Sequence, residues 1–273
     1  MNIWSRIFSL VLILLMTTFA WGNTPANKKH REMLYTVVTV ESLGNLGSGT
    51  VVYSKKDKGD FETFILTNFH VVSSSVTISK EWSPIEKKKV DVEKRVVVKI
   101  LWFNYNELSR FIGTRGKTAD IVAYDKSKDI ALLKVRDKER GTAFVARLRP
   151  PCRSIYLFDE VYAVGSGLGK PPFATIGTLS LMDEEIDGNR YMLATAPIIY
   201  GNSGGALFRL DNSVSKYELI GIPSRVSATF FQSVTHMGFS IPMQTVWEFL
   251  EKNKYSKILP NDCEEKKGKG KPL

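Results

Sequence analysis

One serine of the chain is flanked by residues that suit nucleophilic catalysis. Ser203 lies in the run Gly201-Asn202-Ser203-Gly204-Gly205. Glycines on both sides permit a tight turn that presents the hydroxyl while neighbouring backbone N–H groups point at one spot, where the oxyanion of an acyl transfer can be held. A glycine-flanked serine is more often a simple turn residue, so the assignment depends on a base and an orienting acid elsewhere in the chain.

His70 is the best-placed candidate for the base. It follows the apolar segment Phe61 to Thr67, at a point where a strand is predicted to end and a short helix or turn to begin. A serine nucleophile requires a base within hydrogen-bond reach. The other two histidines, His30 and His236, are interpreted as surface or packing residues, and a structural role is the alternative for His70 as well.

Asp129 completes the set of candidate catalytic residues. It directly precedes the buried-looking strand Ile130 to Val135, and a carboxylate there would hold the imidazole tautomer and stabilise the imidazolium. By itself such an aspartate would be a turn residue. The order His, Asp, Ser is one of three known chain orders for this triad, the one found in the chymotrypsin fold.

The segments around these residues are short and rich in Val, Ile, Thr, Phe and Tyr, with Gly, Pro, Asn and Asp between them. Many short strands with frequent turns favour a sandwich or barrels over an architecture of alternating strands and helices. The predicted strands are Tyr35 to Glu41, Leu46 to Tyr53, Phe61 to Thr67, Val96 to Phe103, Asp120 to Tyr124, Ile130 to Val135, Val161 to Gly165, Ala174 to Met182, Tyr191 to Thr195, Ala206 to Arg209, Tyr217 to Val226 and Met237 to Ile241. Only Met243 to Asn253 has helical spacing, and it is predicted to close the domain.

The start of the chain is typical of a secretory signal. Arg6 precedes an apolar stretch from Ile7 to Met16, and the small residues Ala20 and Gly22 suit cleavage after Gly22. An uncleaved anchor is the alternative, although the apolar stretch is shorter than the ~20 residues that span a bilayer. We therefore expect a secreted or periplasmic protein with no transmembrane segment after cleavage.

The remaining composition gives few further signals. The 273 residues are 43% hydrophobic and 24% charged, as in soluble globular proteins, and the net charge is +10. Because no nucleic-acid-binding motif accompanies the lysines, no specific nucleic-acid partner is predicted. Cys152 and Cys263 can pair in an exported protein, with two unpaired thiols as the alternative, and neither has metal-ligand spacing.

Taken together, the motifs resemble those of trypsin-like peptidases of the HtrA/Deg type over about residues 35 to 250. The matching segments are Gly47-Ser48-Gly49-Thr50-Val51-Val52, Ile65-Leu66-Thr67-Asn68-Phe69-His70-Val71-Val72, Asp129-Ile130-Ala131-Leu132-Leu133-Lys134-Val135, Gly201-Asn202-Ser203-Gly204-Gly205-Ala206-Leu207 and Gly238-Phe239-Ser240-Ile241-Pro242. The resemblance implies an all-β fold of two six-stranded antiparallel barrels with a C-terminal helix. It further implies polypeptide substrates, possible homo-oligomers, and neither metal nor organic cofactor.

The same resemblance assigns roles to individual residues. His70 and Asp129 would come from the first barrel and Ser203 from the second. The N–H groups of Gly201 and Ser203 would form the oxyanion hole. The primary specificity pocket would include Pro197, Ile222, Pro223 and Ser224. Since Pro197 is not acidic, no preference for Lys or Arg before the cut is expected.

The expected domain organisation departs from the HtrA/Deg pattern in two ways. No PDZ domain follows the protease domain, and the stretch between His70 and Asp129 is longer than the family needs. That stretch is interpreted as a surface excursion that shields the cleft, or as a loop without a role. The predicted limits are 1–22 for the signal, 23–33 for an arm, 34–254 for the protease domain (barrels at about 34–140 and 155–242, helix 243–253) and 255–273 for a charged tail.

Two other functions fit the same sequence. The first is a catalytically silent binding module or chaperone that keeps the fold and holds unfolded polypeptide in its cleft, although intact triad candidates argue against it. The second is a latent protease whose site is blocked by the long excursion or by an unprocessed N-terminus. A serine endopeptidase is the main hypothesis.

Overall fold

The computed structural model describes residues 25–106, 110–229 and 232–260. Its first barrel is closed by six antiparallel strands in the order β1-β2-β3-β8-β7-β6. These strands are β1 (Val37–Ser42), β2 (Asn45–Asp57), β3 (Asp60–Thr67), β6 (Val98–Asn106), β7 (Arg110–Asp125) and β8 (Ile130–Val135). Between β3 and β6, strands β4 (Val76–Ser83) and β5 (Lys88–Arg95) form a separate two-stranded sheet.

The second barrel is also closed by six antiparallel strands, in the order β10-β11-β14-β13-β12-β9. These strands are β9 (Glu160–Gly165), β10 (Phe173–Ile186), β11 (Asn189–Ala194), β12 (Ala206–Asp211), β13 (Lys216–Thr229) and β14 (Gln232–Pro242). The fold class predicted from the sequence is therefore confirmed.

Helices are few and lie outside the barrels. The α-helices are α1 (Pro25–Glu32), α2 (Phe69–Val72) and α3 (Met243–Lys252), and single 3-10 turns occupy Leu34–Thr36, Ser73–Ser75, Gly167–Gly169 and Ser256–Ile258. The C-terminal helix was predicted to end at Asn253, but it ends one residue earlier, at Lys252, and Asn253 is its C-cap. No described helix has the length and apolarity that a bilayer crossing requires.

Three apolar clusters make up the core. One fills the first barrel and a second fills the other barrel. The third joins them, because it combines first-barrel residues such as Phe64, second-barrel residues such as Phe208, and Val246 and Leu250 of α3. Because Val246 and Leu250 of α3 belong to the same buried cluster as residues of both barrels, burial of the apolar face of α3 adds to the interface between the barrels.

The strand predictions were wrong mainly between His70 and Asp129. The sequence analysis placed one long excursion there with strands at 96–103 and 120–124, whereas β4 and β5 add a hairpin and β7 begins at Arg110. The lysine and glutamate content of this region hid its alternation of inward and outward residues. The predicted signal at 1–22 and the cleavage site lie outside the described residues. Of the predicted tail at 255–273, only residues 255–260 are described, and Ser256–Ile258 among them forms a 3-10 turn with Ile258 buried. The predicted domain limits stay predictions.

The two cysteines were left open by the sequence. Cys152 is disulfide-bonded, and none of the described cysteines is free. Cys263, the other cysteine of the chain, lies outside the described residues.

Candidate active site

The Ser203 turn lies between β11 and β12 and depends on its glycines. Gly201 has φ +98° and Gly204 has φ +81°, the left-handed region that side chains other than glycine disfavour. A Cβ on Gly204 would lie 2.2 Å from the carbonyl oxygen of Ser48. The second barrel can therefore bring this turn against the first barrel only with glycine at that position.

Ser48 of the first barrel fixes the turn in place. It is fully buried, and its backbone N–H donates to the Ser203 carbonyl over 2.7 Å. Its hydroxyl donates to the Gly201 carbonyl over 2.6 Å and accepts from the N–H of Ser166 over 2.7 Å. Because these bonds cross between the barrels, the position of Ser203 is coupled to the first barrel.

Two N–H groups of the turn are available for a ligand. Within the described residues, the backbone N–H groups of Gly201 and Ser203 donate to no protein group. The other three residues of the turn all use theirs, since Asn202 donates to Ile199, Gly204 to Pro223 and Gly205 to Asn202. The two unused donors are those that the resemblance to HtrA/Deg peptidases assigns to an oxyanion hole.

His70 is the second residue of α2, two residues beyond the cap Asn68. It therefore lies just after a strand ends and a short helix begins, as the sequence predicted. Its imidazole is about half exposed. Nδ1 lies 2.9 Å from Oδ2 of Asp129, and the backbone N–H of His70 donates to Oδ1 of the same carboxylate over 2.9 Å. With Nδ1 bound in this way, Nε2 is the ring nitrogen left for a nucleophile.

Asp129 is held in an unusual backbone conformation, with φ +55°. Aspartate tolerates this region better than most residues. The buried Asn68 side chain donates its amide to the Asp129 carbonyl over 2.9 Å, and the Ser224 hydroxyl donates to Oδ2 over 2.7 Å. The carboxylate is thus fixed both through its own backbone and through its side-chain oxygens.

Opposing effects act on the pKa of the Asp129 carboxyl. Burial alone would raise it, but hydrogen bonds from His70 and Ser224 and the charge of a protonated His70 together lower the pKa below its ordinary value. Asp129 is therefore ionised at neutral pH, as a group that orients and balances an imidazolium must be.

The Ser203 hydroxyl does not bond to His70. It donates to the backbone carbonyl of Ser224 over 3.4 Å, and among the described residues it makes no hydrogen bond to the imidazole. Contacts of this kind are often long or misaligned before a substrate binds. A rotation about the Cα–Cβ bond of Ser203 is the smallest motion that redirects the hydroxyl.

The residues predicted for the specificity pocket have different surroundings. Ile222 is fully buried in the cluster between the barrels and offers no side-chain surface to a substrate. Pro223 is buried and accepts the N–H of Gly204 through its carbonyl, whereas Pro197 is exposed. Ser224 is the extra residue of a bulge in the pairing of β13 with β14, and this bulge turns its hydroxyl to Asp129.

A groove of about 770 Å³ opens beside His70 and Asp129. Apolar side chains from α2, β4 and β7 line it together with polar residues of β13 and of the loop before Asp129. The lining residues are Phe69, His70, Ser73, Val76, Ile78, Tyr124, Lys126, Ser127, Asp129, Ser224 and Arg225.

The hairpin of β10 and β11 supports one wall of this groove. Asn189 donates its side-chain amide to the Ser127 carbonyl over 2.9 Å. Asp187, at the tip, binds Arg225 over 2.7 Å, and the Arg225 guanidinium lies 5.2 Å from the centre of the Tyr191 ring. These contacts tie the loop before Asp129 and the strand after Ser224 to one rigid turn.

Sequence reasoning missed two of the positioning contacts. Ser48 stood in the quoted run Gly47-Ser48-Gly49, whose glycines signal close backbone approach, but nothing in the run revealed its bonds to the Ser203 turn. Ser224 was assigned to substrate contact, whereas its hydroxyl bonds to Asp129. In the part of the chain that the structure describes, no group of three or more His, Cys, Asp or Glu side chains is arranged to hold a metal ion.

Comparison with known families identifies the class of protein. A family model described as a trypsin-like peptidase domain matches residues 47–222, which include all three candidate catalytic residues. The chain therefore belongs to the trypsin-like peptidase family, and the predicted resemblance to HtrA-type serine proteases is confirmed.

Individual relatives are distant and longer. The chain is 24% identical over 209 residues to the magnetosome formation protease MamE of Magnetospirillum gryphiswaldense, with 75% of this chain and 22% of MamE covered. It is 28% identical over 201 residues to the periplasmic pH-dependent serine endoprotease DegQ of Escherichia coli, with 72% and 34% covered. The chain thus spans about a third or less of the length of these two relatives.

Solved structures share the fold. A serine endoprotease from Yersinia pestis superposes with a TM-score of 0.56 at 24% identity, covering 85% of this chain and 67% of that one.

Proposed function

We propose that the protein is a serine endopeptidase that cleaves polypeptides through an acyl-enzyme. Ser203 Oγ attacks the scissile carbonyl carbon while Nε2 of His70 takes the hydroxyl proton, and the imidazolium then gives that proton to the departing amine. Water, deprotonated by Nε2 of His70, then attacks the carbonyl carbon of the ester. The bond from that carbon to Oγ breaks, the imidazolium returns the proton to Ser203 Oγ, and the acyl part leaves with a free carboxyl group. The observation that carries this proposal is the His70–Asp129 pair at 2.9 Å, together with the Ser203 turn and its two unused N–H donors.

Each remaining residue of the site supports one part of this scheme. Asp129 keeps Nδ1 protonated and balances the imidazolium, and Ser224 and Asn68 hold Asp129 in position. The N–H groups of Gly201 and Ser203 would stabilise the tetrahedral oxyanion, an effect of which one donor commonly supplies about 10²–10³ in rate. No step of the scheme requires a cofactor.

The substrates we propose are polypeptides in the cell envelope or outside the cell. Support comes from the predicted signal and from relatives such as DegQ, which is named as a periplasmic endoprotease. Because Pro197 carries no carboxylate, we expect no preference for Lys or Arg before the cut.

Proteolysis of casein and labelling by a fluorophosphonate probe test this proposal together. Wild-type protein should cleave casein and take up the probe, and Ser203→Ala should lose both. Ser154→Ala is the matched control, because Ser154 is exposed and lies outside the site, and it should keep both. Retention of cleavage and labelling by Ser203→Ala would reject the proposal.

One observation favours a second candidate, a silent binding module that holds unfolded polypeptide. The Ser203 hydroxyl bonds to the Ser224 carbonyl instead of the imidazole, as expected of an inactive serine. A folded wild-type protein that ignores the probe and yet binds denatured polypeptide would select this candidate. Activity that appears only after limited proteolysis would indicate a latent protease instead.

A further inference from the structure

The β4–β5 hairpin belongs to neither barrel and starts next to the catalytic groove. It lies in the sequence between His70 and Asp129, and its first residues, Val76 and Ile78, line the groove beside the imidazole. The pairing runs without interruption from Val76 opposite Arg95 to Ser83 opposite Lys88. The groove therefore continues onto the surface of a regular two-stranded sheet.

The two faces of this hairpin differ in character. Residues opposite each other in an antiparallel pair share a face, and alternate residues along a strand share it too. One face, here named the groove face, consists of Val76, Ile78, Lys80, Trp82, Lys89, Asp91, Glu93 and Arg95. The opposite face carries Thr77, Ser79, Glu81, Ser83, Lys88, Val90, Val92 and Lys94. The large apolar side chains are thus on the face that continues the groove.

These apolar side chains are open to solvent. Ile78 is 61% exposed and Trp82 is 62% exposed. They are four residues apart on one strand, which places them about 13 Å apart along its direction. Because Lys80 lies between them on this face, they form two separate apolar contact points beside the groove.

The base of the hairpin has a fixed orientation relative to His70. The Tyr124 hydroxyl donates to Oε2 of Glu93 over 2.8 Å, and the Tyr124 ring stacks on Phe69 with 4.8 Å between centroids. Arg95 donates to the Ile121 carbonyl over 2.8 Å. Since Phe69 is the residue before His70, the groove face is connected to the catalytic histidine through two stacked rings.

Charge on the groove face favours an acidic group. Within the described residues, Lys80 and Lys89 form no ion pair, and Lys126 at the groove forms none either. Asp91, opposite Lys80, is the one carboxylate of this face that no ion pair neutralises. Lys89 lies directly opposite Trp82, so a cation lies beside the aromatic ring of this face.

We propose that the groove face is a substrate exosite, which binds an extended apolar segment of unfolded polypeptide that also carries an acidic residue. Ile78 and Trp82 contact two apolar side chains of the segment, and Lys89 pairs with the carboxylate. The segment lies several residues from the bond that is cut, because the face extends away from His70. Cleavage of the bound segment rests on the proposed function, whereas its binding to the groove face does not.

Kinetics with long and short substrates test the exosite. For the double variant Ile78→Ser/Trp82→Ser, KM for casein should rise about tenfold or more, since partial burial of the two side chains together is worth at least about a tenfold change in affinity. For a fluorogenic substrate with only two residues before the cut, kcat/KM should stay within about twofold. Val90→Ser, which removes an apolar side chain from the opposite face of the same hairpin, should change neither. Equal loss on both substrates, or no loss on casein, overturns the proposal.

A binding experiment separates the exosite from the peptidase activity. In the Ser203→Ala background, fluorescence anisotropy should show a labelled unfolded peptide with two apolar residues and a neighbouring Glu binding about tenfold more weakly after Ile78→Ser/Trp82→Ser. A matched peptide with Lys in place of Glu should bind more weakly than the Glu peptide, and Lys89→Glu should reverse that order.

The outcomes of the two experiments are distinct. If the wild-type protein cleaves neither substrate, the proposed function is rejected. The anisotropy measurement still decides whether the groove face binds peptide. Equal peptide affinity with and without the double variant overturns the exosite. Binding of anionic phospholipid vesicles that the double variant abolishes, with peptide affinity unchanged, would overturn it in favour of a membrane surface.

Discussion

Two hairpins border the candidate active site, and they are built in opposite ways. The β10–β11 hairpin has a tight tip at Asp187 and Gly188, and its side chains bond to Ser127 and Arg225 beside the site. Among residues 25–106, 110–229 and 232–260, the polar contacts of the β4–β5 tip are internal, for example from the N–H of Glu86 to the Ser83 hydroxyl.

The difference indicates two different roles. Polar contacts from the β10–β11 hairpin to the loop before Asp129 limit the movement of that loop and so support the catalytic geometry. Ile85 at the tip of the other hairpin is 94% exposed, and the hydrogen bonds that join this hairpin to β7 in the described part of the chain involve Glu93 and Arg95 at its base. The first hairpin thus supports the chemistry, and the second is available to bind a partner.

The largest effect should come from a change of Asp129, which follows the loop that the β10–β11 hairpin contacts. Asp129→Asn keeps the size of the side chain but can leave His70 in the wrong tautomer, so kcat on the two-residue fluorogenic substrate should fall by about 10⁴. Asp125→Asn, at the end of β7, is the control and should lose much less, because the Asp125 carboxylate accepts the N–H groups of Ser127 and Lys128 and, in the residues that the structure describes, does not bond to His70. Similar losses for both variants would contradict a special role for Asp129.

Removal of the Ser224 hydroxyl should have the next largest effect. Ser224→Ala deletes one hydrogen bond to the Asp129 carboxylate, and kcat should fall about tenfold, the equivalent of the ~1.5 kcal/mol of a bond to a charged group. Because this bond lowers the pKa of Asp129, the variant should also be less stable at neutral pH. The difference in the free energy of unfolding between variant and wild type should begin to shrink as pH falls below about 3.9, the usual pKa of aspartate. It should vanish once pH is below the lower pKa of Asp129 in the folded protein. Urea unfolding at pH 7 and pH 3 measures it, and an equal difference at both pH values would contradict the assignment.

Loss of the contact between the β10–β11 tip and Arg225 should matter less. The Asp187–Arg225 pair is largely exposed, and such pairs contribute about 0–1 kcal/mol. Asp187→Ala should lower kcat/KM on the short substrate about two- to threefold. Asp183→Ala breaks another exposed pair of the same hairpin, with Arg190, and should leave the rate unchanged. An equal effect of the two variants would show that the Asp187–Arg225 pair supports the site no more than the Asp183–Arg190 pair does.

Shortening the other hairpin should have the smallest effect on stability and short-substrate cleavage. Ile78 and Glu93 are cross-strand partners, so two glycines can replace residues 79–92 with a two-residue turn. The free energy of unfolding should change by less than about 1 kcal/mol, because the deleted residues are mostly exposed. Urea unfolding and short-substrate kinetics measure this. A large loss of either would show that the hairpin is part of the catalytic scaffold.

The same contrast explains how far the sequence could lead. The residues around His70, Asp129 and Ser203 carry local signals, namely glycines at a tight turn and an apolar strand before or after a polar residue, and the two barrels follow from regular apolar segments. Contacts across the fold carry no such signal: the bond from Ser224 to Asp129 depends on a bulge between β13 and β14, and that from Ser48 depends on how the barrels meet. The β4–β5 hairpin was missed because Lys and Glu fill many of its positions.

The most direct test of the central claim is the rate at which a fluorophosphonate probe modifies each variant, with the modified residue mapped by mass spectrometry. Wild-type protein should be labelled on Ser203, and His70→Ala should be labelled slower by about 10³ or more, because the hydroxyl then lacks its base. Labelling at another residue, or at the same rate without His70, would contradict the account.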